Sequence, residues 1–391
     1  MQRRILIASL LASYGVIAHA QSSMTLYGVL DAGVSYVNNV ATPTGHSSAV
    51  KYGDGVAQGN RWGMKGVEDL GGGLRAIFTL ESGFNTGDGK AGQGGALFGR
   101  QTLVGFSKEG IGSLTFGRQY SFSTDYLGSN YSAGGLTAAG NYAFHINDLD
   151  QLSSSRINNS VKFSSANVKG LTVGALFGFS NGTDFAGSPA TAAGAGSSSA
   201  YSFGANYSQG TFGIGAAYTN IRFPRSAAPQ FSTSIANVNT LGPTDLDLRS
   251  LETYGLGARY ALGSATIWGL WTHTNLEPLT APKSRLDNLE AGLRYAFTPA
   301  LSASLGYTYS RLYDNLTGHW NQINSSLDYA LSKRTDVYLL TIYQKASGSN
   351  VVGGRVVPVQ AEIGSSSSLV GNSGTGADNQ FVARVGLRTK F

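Results

Sequence analysis

The sequence predicts an all-β chain whose strands pair antiparallel and close into a barrel that crosses a membrane. Three observations carry this. The chain ends on a strictly alternating strand, similar strands recur with short and long connections in turn, and no apolar run of about 18 residues follows Ala20 to make a spanning helix. In the last segment, Phe381, Ala383, Val385, Leu387 and Phe391 share one face, joined by Thr389, while Val382, Arg384, Gly386, Arg388 and Lys390 share the other. A period of two with one greasy face marks a strand between two unlike surroundings. The arginines suit water, so the opposite face meets either a protein core or lipid.

The same alternation recurs along the chain. Leu26, Leu30, Ala32, Val34 and Tyr36 oppose Tyr27, Asp31 and Ser35, and Leu74, Ala76, Phe78 and Leu80 oppose Arg75, Thr79 and Glu81. Val173 to Phe179, Tyr201 to Tyr207, Phe212 to Tyr218, Tyr254 to Tyr260, Leu289 to Phe297 and Leu301 to Tyr309 repeat it. Short turns rich in Gly, Asn, Ser and Pro stand at 69–73, 109–112, 167–170, 208–210, 261–264, 297–300 and 331–334, which is hairpin chemistry. Longer polar loops lie between them, notably 119–155, 221–247 and 346–378. Seven short turns and eight loops give sixteen strands, with both ends of the barrel chain on the short-turn side. An even count and this asymmetry are features of outer-membrane barrels. A tilted spanning strand needs about 9–11 residues, and sixteen strands leave a water-filled interior. A soluble β-sandwich, propeller or β-helix is the competing fold. Outward faces that end in Tyr36, Tyr207, Tyr218, Tyr260 and Phe391 fit aromatic girdles better than a dry core of Ile, Leu and Val.

Residues 1–20 read as an export leader. Arg3 and Arg4 form a basic start, Ile5 to Ile17 is a short apolar stretch, and Ala18-His19-Ala20 fits a small-x-small cleavage site. A mature barrel of residues 21–391 follows, as a single domain with no composition shift to divide it. The chain has no cysteine, so disulfides neither staple it nor report its compartment. Its formal net charge is +6, and loss of Arg3 and Arg4 leaves +4. The charges are dispersed through strands rather than gathered on one helix or patch, which speaks against nucleic acid as a partner.

Several stretches then resemble a known family. They are Ser23-Met24-Thr25-Leu26-Tyr27-Gly28-Val29-Leu30-Asp31-Ala32-Gly33, Arg61-Trp62-Gly63-Met64-Lys65-Gly66-Val67-Glu68-Asp69-Leu70-Gly71-Gly72-Gly73, Phe98-Gly99-Arg100-Gln101, Phe116-Gly117-Arg118-Gln119, Ser332-Lys333-Arg334-Thr335 and Val385-Gly386-Leu387-Arg388. Together with the terminal Phe391, which is similar to the signal read during barrel assembly, they resemble the general-diffusion porins of Gram-negative bacteria of the β-proteobacterial and neisserial type. The resemblance implies a sixteen-stranded barrel narrowed by an inward-folded third loop, here about 119–155, which lacks the enterobacterial Pro-Glu-Phe-Gly stretch. It also implies a homotrimer in the outer membrane, in contact with lipid and lipopolysaccharide, passing ions and small hydrophilic solutes without a cofactor or bond chemistry.

Selectivity in such a channel comes from pore width and from the field of inward charges. By parity Asp31, Arg61, Lys65, Arg75, Glu81, Arg156, Lys162, Arg384 and Arg388 are luminal. The resemblance adds Arg100 to an arginine cluster with Arg61 and Arg156. Parity is poor around Arg100, where Leu103 and Val104 leave both faces partly apolar, and Arg118 lies beyond the clear outward pair Leu114 and Phe116. Asp125, Asp148 and Asp150 on the third loop are the candidate acids facing this basic wall. For any single arginine, a solvated luminal place outside the narrowing is the other reading. The basic balance predicts a mild anion preference, with a solute-specific channel for sugar or phosphate as the alternative.

Other signals carry less. Gly87-Asp88-Gly89-Lys90-Ala91-Gly92 matches a dinucleotide fingerprint but has no strand-helix context. His145 with Asp148 and Asp150 offers ligands for a divalent ion, against which stands a plain polar loop. His46, His273 and His319 are scattered, and no Ser/His/acid set supports a hydrolase. An adhesive role for the loops is compatible with a channel.

Overall fold

The computed structural model describes residues 22–179, 199–222, 248–278, 281–352, 354–366 and 368–391. The leader at 1–20, most of the loop at 221–247 and its Asp245 and Asp247 lie outside the described residues. Among the described residues sixteen strands form the barrel. The first eight are β1 (Ser23–Thr42), β2 in two pieces (Gly45–Asp54 and Arg61–Gly71), β3 (Leu74–Gly83), β4 (Gln101–Lys108), β5 (Gly112–Tyr120), β6 (Arg156–Ser165), β7 (Leu171–Gly178) and β8 (Ala200–Gln209). The rest are β9 (Phe212–Arg222), β10 (Leu248–Leu262), β11 (Ala265–Pro278), β12 (Ser284–Ala296), β13 (Leu301–Asp314), β14 (Gly318–Ala330), β15 (Thr335–Ser347) and β16 (Asn379–Lys390).

Each strand pairs antiparallel with its sequence neighbours, and β1 closes on β16 from Val29↔Lys390 to Val37↔Val382. The backbone of the last residue completes the seam: Gly28 N donates to Phe391 O at 3.0 Å and Phe391 N to Gly28 O at 3.1 Å. The Phe391 ring lies over Gly28, where an added Cβ would stand 2.2 Å from it. All seven expected short turns are found at their places. The alternation is also as expected: on β13, Leu305 and Tyr307 are exposed on the outer wall, while Ser302, Ser304, Thr308 and Ser310 are buried on the inner one. An apolar outer face and a polar lumen are what a barrel in lipid requires.

The sequence did not reveal the break in β2. Residues 55–60 leave the sheet and turn inward, burying Val56 and Ala57. Asp31 on β1 holds this excursion: its Oδ2 accepts from Gln58 N at 2.8 Å, its carbonyl from Gly55 N at 2.9 Å, and its own N–H donates to Asn60 Oδ1 at 2.5 Å. Gly55 has φ +61, the left-handed conformation that glycine adopts without a steric penalty.

Residues 121–155, between β5 and β6, fold into the barrel and supply its packed interior. Phe122, Leu127, Tyr131, Ile146, Leu149 and Leu152 are buried against inner-wall residues such as Leu176, Leu251 and Leu276. Tyr142 packs with Val37, Val56, Leu340 and Val382 on the other side. Bare glycines on the wall let the loop approach closely. A Cβ at Gly257 would meet Tyr131 Cβ at 2.5 Å, and one at Gly204 would meet Phe122 Cβ at 2.7 Å. Overpacking of this kind costs about 1–3 kcal/mol. Gly257→Leu is therefore expected to leave the barrel folded but displace the loop, which single-channel conductance would show as a changed unitary step.

Candidate functional site

Strands β2 to β6 bring five charged residues to one side of the lumen. Arg61 begins the second piece of β2 directly after the inward excursion, and its Nη1 donates to Gly59 O at 3.0 Å. Glu81 on β3 stands opposite Gly63 and lies 3.6 Å from Arg61 Nε. Arg100, just before β4, donates through Nε to Glu81 Oε1 at 2.8 Å, and Tyr27 donates its hydroxyl to Oε2 at 3.0 Å. Tyr120, at the end of β5, accepts from Arg100 Nη2 and from Arg156 Nη2, each at 2.9 Å. The Arg156 guanidinium also covers the Tyr120 ring, 4.8 Å from its centre. Arg118 donates to Gly99 O at 2.7 Å and to Asn158 Oδ1.

The result is a ladder, Arg61, Glu81, Arg100, Tyr120, Arg156, with Arg118 at its flank. Guanidinium stays charged throughout, so four cations stand against Glu81 and, at the edge of the adjoining cavity, Asp54. A cavity of about 450 Å³ opens beside Arg100 and Arg156, faced by Asn141, Ser153 and Ser154 of the third loop and by Ser365 and Ser366. The wall thus presents Arg100 and Arg156 to this cavity.

The three expected acids are placed elsewhere. Asp148 and Asp150 are fully buried, which corrects the expectation that they face the arginines. Asp148 caps its own loop, accepting from Ser153 N at 2.8 Å, Ser154 N at 3.0 Å and Ser154 Oγ at 2.6 Å. Burial and the neighbouring Asp150 charge push its carboxyl up to about 6, against those hydrogen bonds. Asp150 Oδ2 accepts from Thr272 Oγ1 on β11 at 2.7 Å and lies 2.5 Å from His145 Nδ1. Asp125 is partly exposed and pairs with Lys162 Nζ at 2.5 Å. That pairing, and a bond from Lys162 Nζ to Tyr120 O at 2.8 Å, leave Lys162 buried below the loop rather than open to solvent.

His145 joins the loop to the wall. Its Nε2 is 2.9 Å from Glu290 Oε2 on β12, and Glu290 also accepts from Ser132 Oγ at 3.1 Å, Ala133 N at 2.5 Å and Trp268 Nε1 at 2.6 Å. Both ring nitrogens face carboxylates, so both must carry protons to donate. Burial works against that charge, but Asp150 and Glu290 outweigh it and push the imidazole up to about 10. As for a metal, among the described residues no group of three or more His, Cys, Asp or Glu side chains could hold one.

The remaining candidates scatter. Lys65 is exposed on β2 with its Nζ 5.5 Å from the Tyr27 ring centre. Arg75 is exposed beside the β2–β3 turn, in register with Asp69. Arg384 is not on open water: it is buried in the wall, donating to Tyr338 OH at 2.9 Å, Gly53 O at 2.9 Å and Ser35 Oγ at 3.2 Å. The inward excursion and Tyr142, whose hydroxyl is 3.1 Å from Ser35 Oγ, cover it. Arg388 stays luminal near the short turns, 3.1 Å from Asp336 and 3.5 Å from Asp328. Parity failed at Arg118 because β5 has an irregular register between Gly117 and Gln119, with Gly117 at φ +134. Tyr120 and Glu290 were missed. Glu290 was within reach of parity, since Leu289 and Ala291 face outward on either side of it.

Comparison with known proteins agrees with this architecture. A family model described as Gram-negative porin matches residues 7–349. Over 387 aligned residues the chain is 30% identical to an outer membrane porin protein of Bordetella pertussis, covering 88% of this chain and 94% of that one. It is 36% identical over 141 residues to the major outer membrane protein P.IB of Neisseria meningitidis serogroup B, a match covering 33% of this chain and 40% of that one. Among solved structures, the barrel is similar to the anion-selective porin from Comamonas acidovorans, with TM-score 0.71, 22% identity, and coverage of 95% of this chain and 100% of that chain. It is also similar to in-vitro folded OmpT of Vibrio cholerae in its trimer form, with TM-score 0.63, 15% identity, and coverage of 95% and 99%. A closed sixteen-stranded barrel with a folded-in loop and this kinship lead to one conclusion: the chain belongs to the Gram-negative porin family and forms a water-filled outer-membrane channel for ions and small hydrophilic solutes.

Proposed function

We propose that Arg61, Arg100, Arg118 and Arg156 form the charge filter of this channel and give it a mild preference for anions. The observation that carries this reading is the withdrawal of the acids. Asp148 and Asp150 are buried in the loop's own anchoring, and Asp125 is engaged by Lys162. Glu81 is the carboxylate paired with Arg61 and Arg100, and Asp54, which also lines the cavity, is held by Thr86 N and Gly87 N, so four guanidinium groups outnumber the acids and the field across the cavity is positive. The Comamonas acidovorans porin, whose barrel is similar, is named anion-selective. The test is conductance in matched salts. Replacing chloride by bulkier acetate is expected to lower conductance more than replacing potassium by lithium, and the opposite order would overturn the reading.

The reading includes a leader and an assembly. The mature chain begins at Gln21, and three copies associate through their apolar outer walls; the similar Vibrio cholerae barrel is described in a trimer form. Intact mass of protein extracted from outer membranes is expected to match residues 21–391, and chemical cross-linking is expected to stop at the trimer.

A further inference from the structure

A second basic region lies on the other side of the loop. The inward excursion of β2 divides the lumen: Gly55, Gly59 and Asn60 line the cavity beside Arg100, while Ala57 and Gln58 line a separate cavity of about 440 Å³. Asn141 of the third loop ties the partition together, donating through N to Val56 O at 2.6 Å and through Nδ2 to Gly55 O at 2.7 Å. The second cavity contains Arg294, Arg388 and Lys390, the last of which is next to the C-terminus. A third cavity of about 260 Å³ shares Arg294 and Leu136 with it and adds Arg259 and Trp268. Ser208, Gly210 and Thr211 of the β8–β9 turn line that third cavity, so the pair of cavities opens toward the short turns. In outer-membrane barrels that is the periplasmic mouth.

The charges here are arranged for a ligand. Of the acids nearby, Asp328 and Asp336 are both held by Arg388, and Glu290, behind Trp268, is engaged by His145, Ser132 and Ala133. Arg259 and Arg294 have no carboxylate within ion-pairing distance among the described residues. Arg294 directs Nε and Nη2 at one hydroxyl, Ser302 Oγ, at 3.3 and 3.2 Å, which uses two of its five donors. Arg259 makes a long bond of 3.5 Å to Asn130 O and lies 5.8 Å from the Tyr131 ring centre. Further hydroxyls, Ser304 and Ser326, line the floor and pair with each other at 2.7 Å. Trp268 adds a rigid ring, fixed by its bond to Glu290.

We propose that Arg259 and Arg294, with Trp268 between their strands, form an oxyanion-binding station in the periplasmic vestibule, which holds a small carboxylated or phosphorylated solute after it has passed the arginine wall. Planar guanidinium forks match the oxygen pairs of carboxylate and phosphate. The adjoining hydroxyls fit a polar body, and the shared cavity is large enough for a solute rather than a bare ion. This inference rests on the anion-preferring reading of the channel.

The test uses single trimers in a planar bilayer, with inorganic pyrophosphate added to one chamber and then the other. Wild-type channels are expected to show blocking events from both chambers, with stronger block from the one facing the short turns. In the double variant Arg259→Ser with Arg294→Ser, block from that side is expected to weaken roughly tenfold, as loss of two guanidinium contacts implies. Block from the other side is expected to stay unchanged. The conservative pair Arg259→Lys with Arg294→Lys keeps the charge but loses the fork and is expected to show intermediate block. Equal block from both sides in the double variant and the wild type overturns the station. The zero-current potential in a KCl gradient, recorded on the same channels, separates the two ideas. A chloride-favouring potential with unaltered pyrophosphate block sinks the station alone, whereas a potassium-favouring potential sinks the anion reading beneath it.

Discussion

Replacing Arg61, Arg100 and Arg156 together by serine is expected to lower the chloride-to-potassium permeability ratio roughly tenfold at about 0.1 M salt. Unit charges about 4 Å apart in water interact by about 1 kcal/mol, and about 1.4 kcal/mol is a factor of ten. Three such charges would exceed that if they all stood at contact distance, but the Debye length of about 10 Å screens those farther from a passing ion. The direction follows from Glu81, which is left behind. With Arg61 and Arg100 gone, its carboxylate loses partners at 3.6 and 2.8 Å and becomes the dominant charge of the ladder. Raising the salt to about 1 M shortens the screening length to about 3 Å, so the contrast between wild type and variant should shrink. Glu81→Gln should move the ratio the other way.

Glu290→Leu is expected to release the third loop from the barrel wall. Glu290 is the acceptor for Ser132, Ala133, Trp268 and His145. Its removal leaves a buried imidazolium with Asp150 alone, and breaking a buried pair of this kind costs about 3–5 kcal/mol. The barrel's own ladders do not depend on that group, so strands should persist while the loop detaches. Single-channel recordings should show larger and noisier steps, and hydrogen exchange should speed up at 131–150 without a matching change in the strands. Glu290→Gln keeps an acceptor for Ala133 N and should have a smaller effect. The same latch carries a pH signature. His145 is raised from 6.5 to about 10, so the stabilisation from its charge is complete below about 6.5 and is lost as pH rises through about 10. Loop noise should therefore appear on the alkaline side in the wild type, and a Glu290→Leu channel should show little further change there.

The barrel was legible because its strands face two unlike solvents. That alternation persists in Phe381 to Phe391 and in Leu301 to Tyr309, and each short turn announces itself with Gly, Asn, Ser or Pro. The arginine wall was partly legible. Arg61 and Arg156 keep parity, whereas Arg118 sits after a register irregularity at Gly117, and Arg100 lies in a connection where parity has no meaning. The third loop was the least legible part. It has no period of its own, and its fold is set by contacts to distant strands, such as His145 to Glu290 on β12 and Tyr131 to Gly257 on β10. Charge alone suggested that Asp148 and Asp150 would face the pore. Asp150 is held by Thr272 and Asn288, partners that sequence distance conceals, whereas Asp148 turns back on its near neighbours Ser153 and Ser154, a local fold that no period announces. Arg384 shows the same limit: parity places it correctly on the inner face, but the cover provided by residues 55–60 and Tyr142 makes that face a core.

The sign of the zero-current potential of the wild-type channel across a KCl gradient tests the central claim most directly. A positive field at the narrowing, with Asp148 and Asp150 withdrawn and Glu81 outnumbered, predicts the sign set by chloride crossing faster than potassium. A potential of the potassium sign would contradict it, because Arg61, Arg100, Arg118 and Arg156 would then not govern passage.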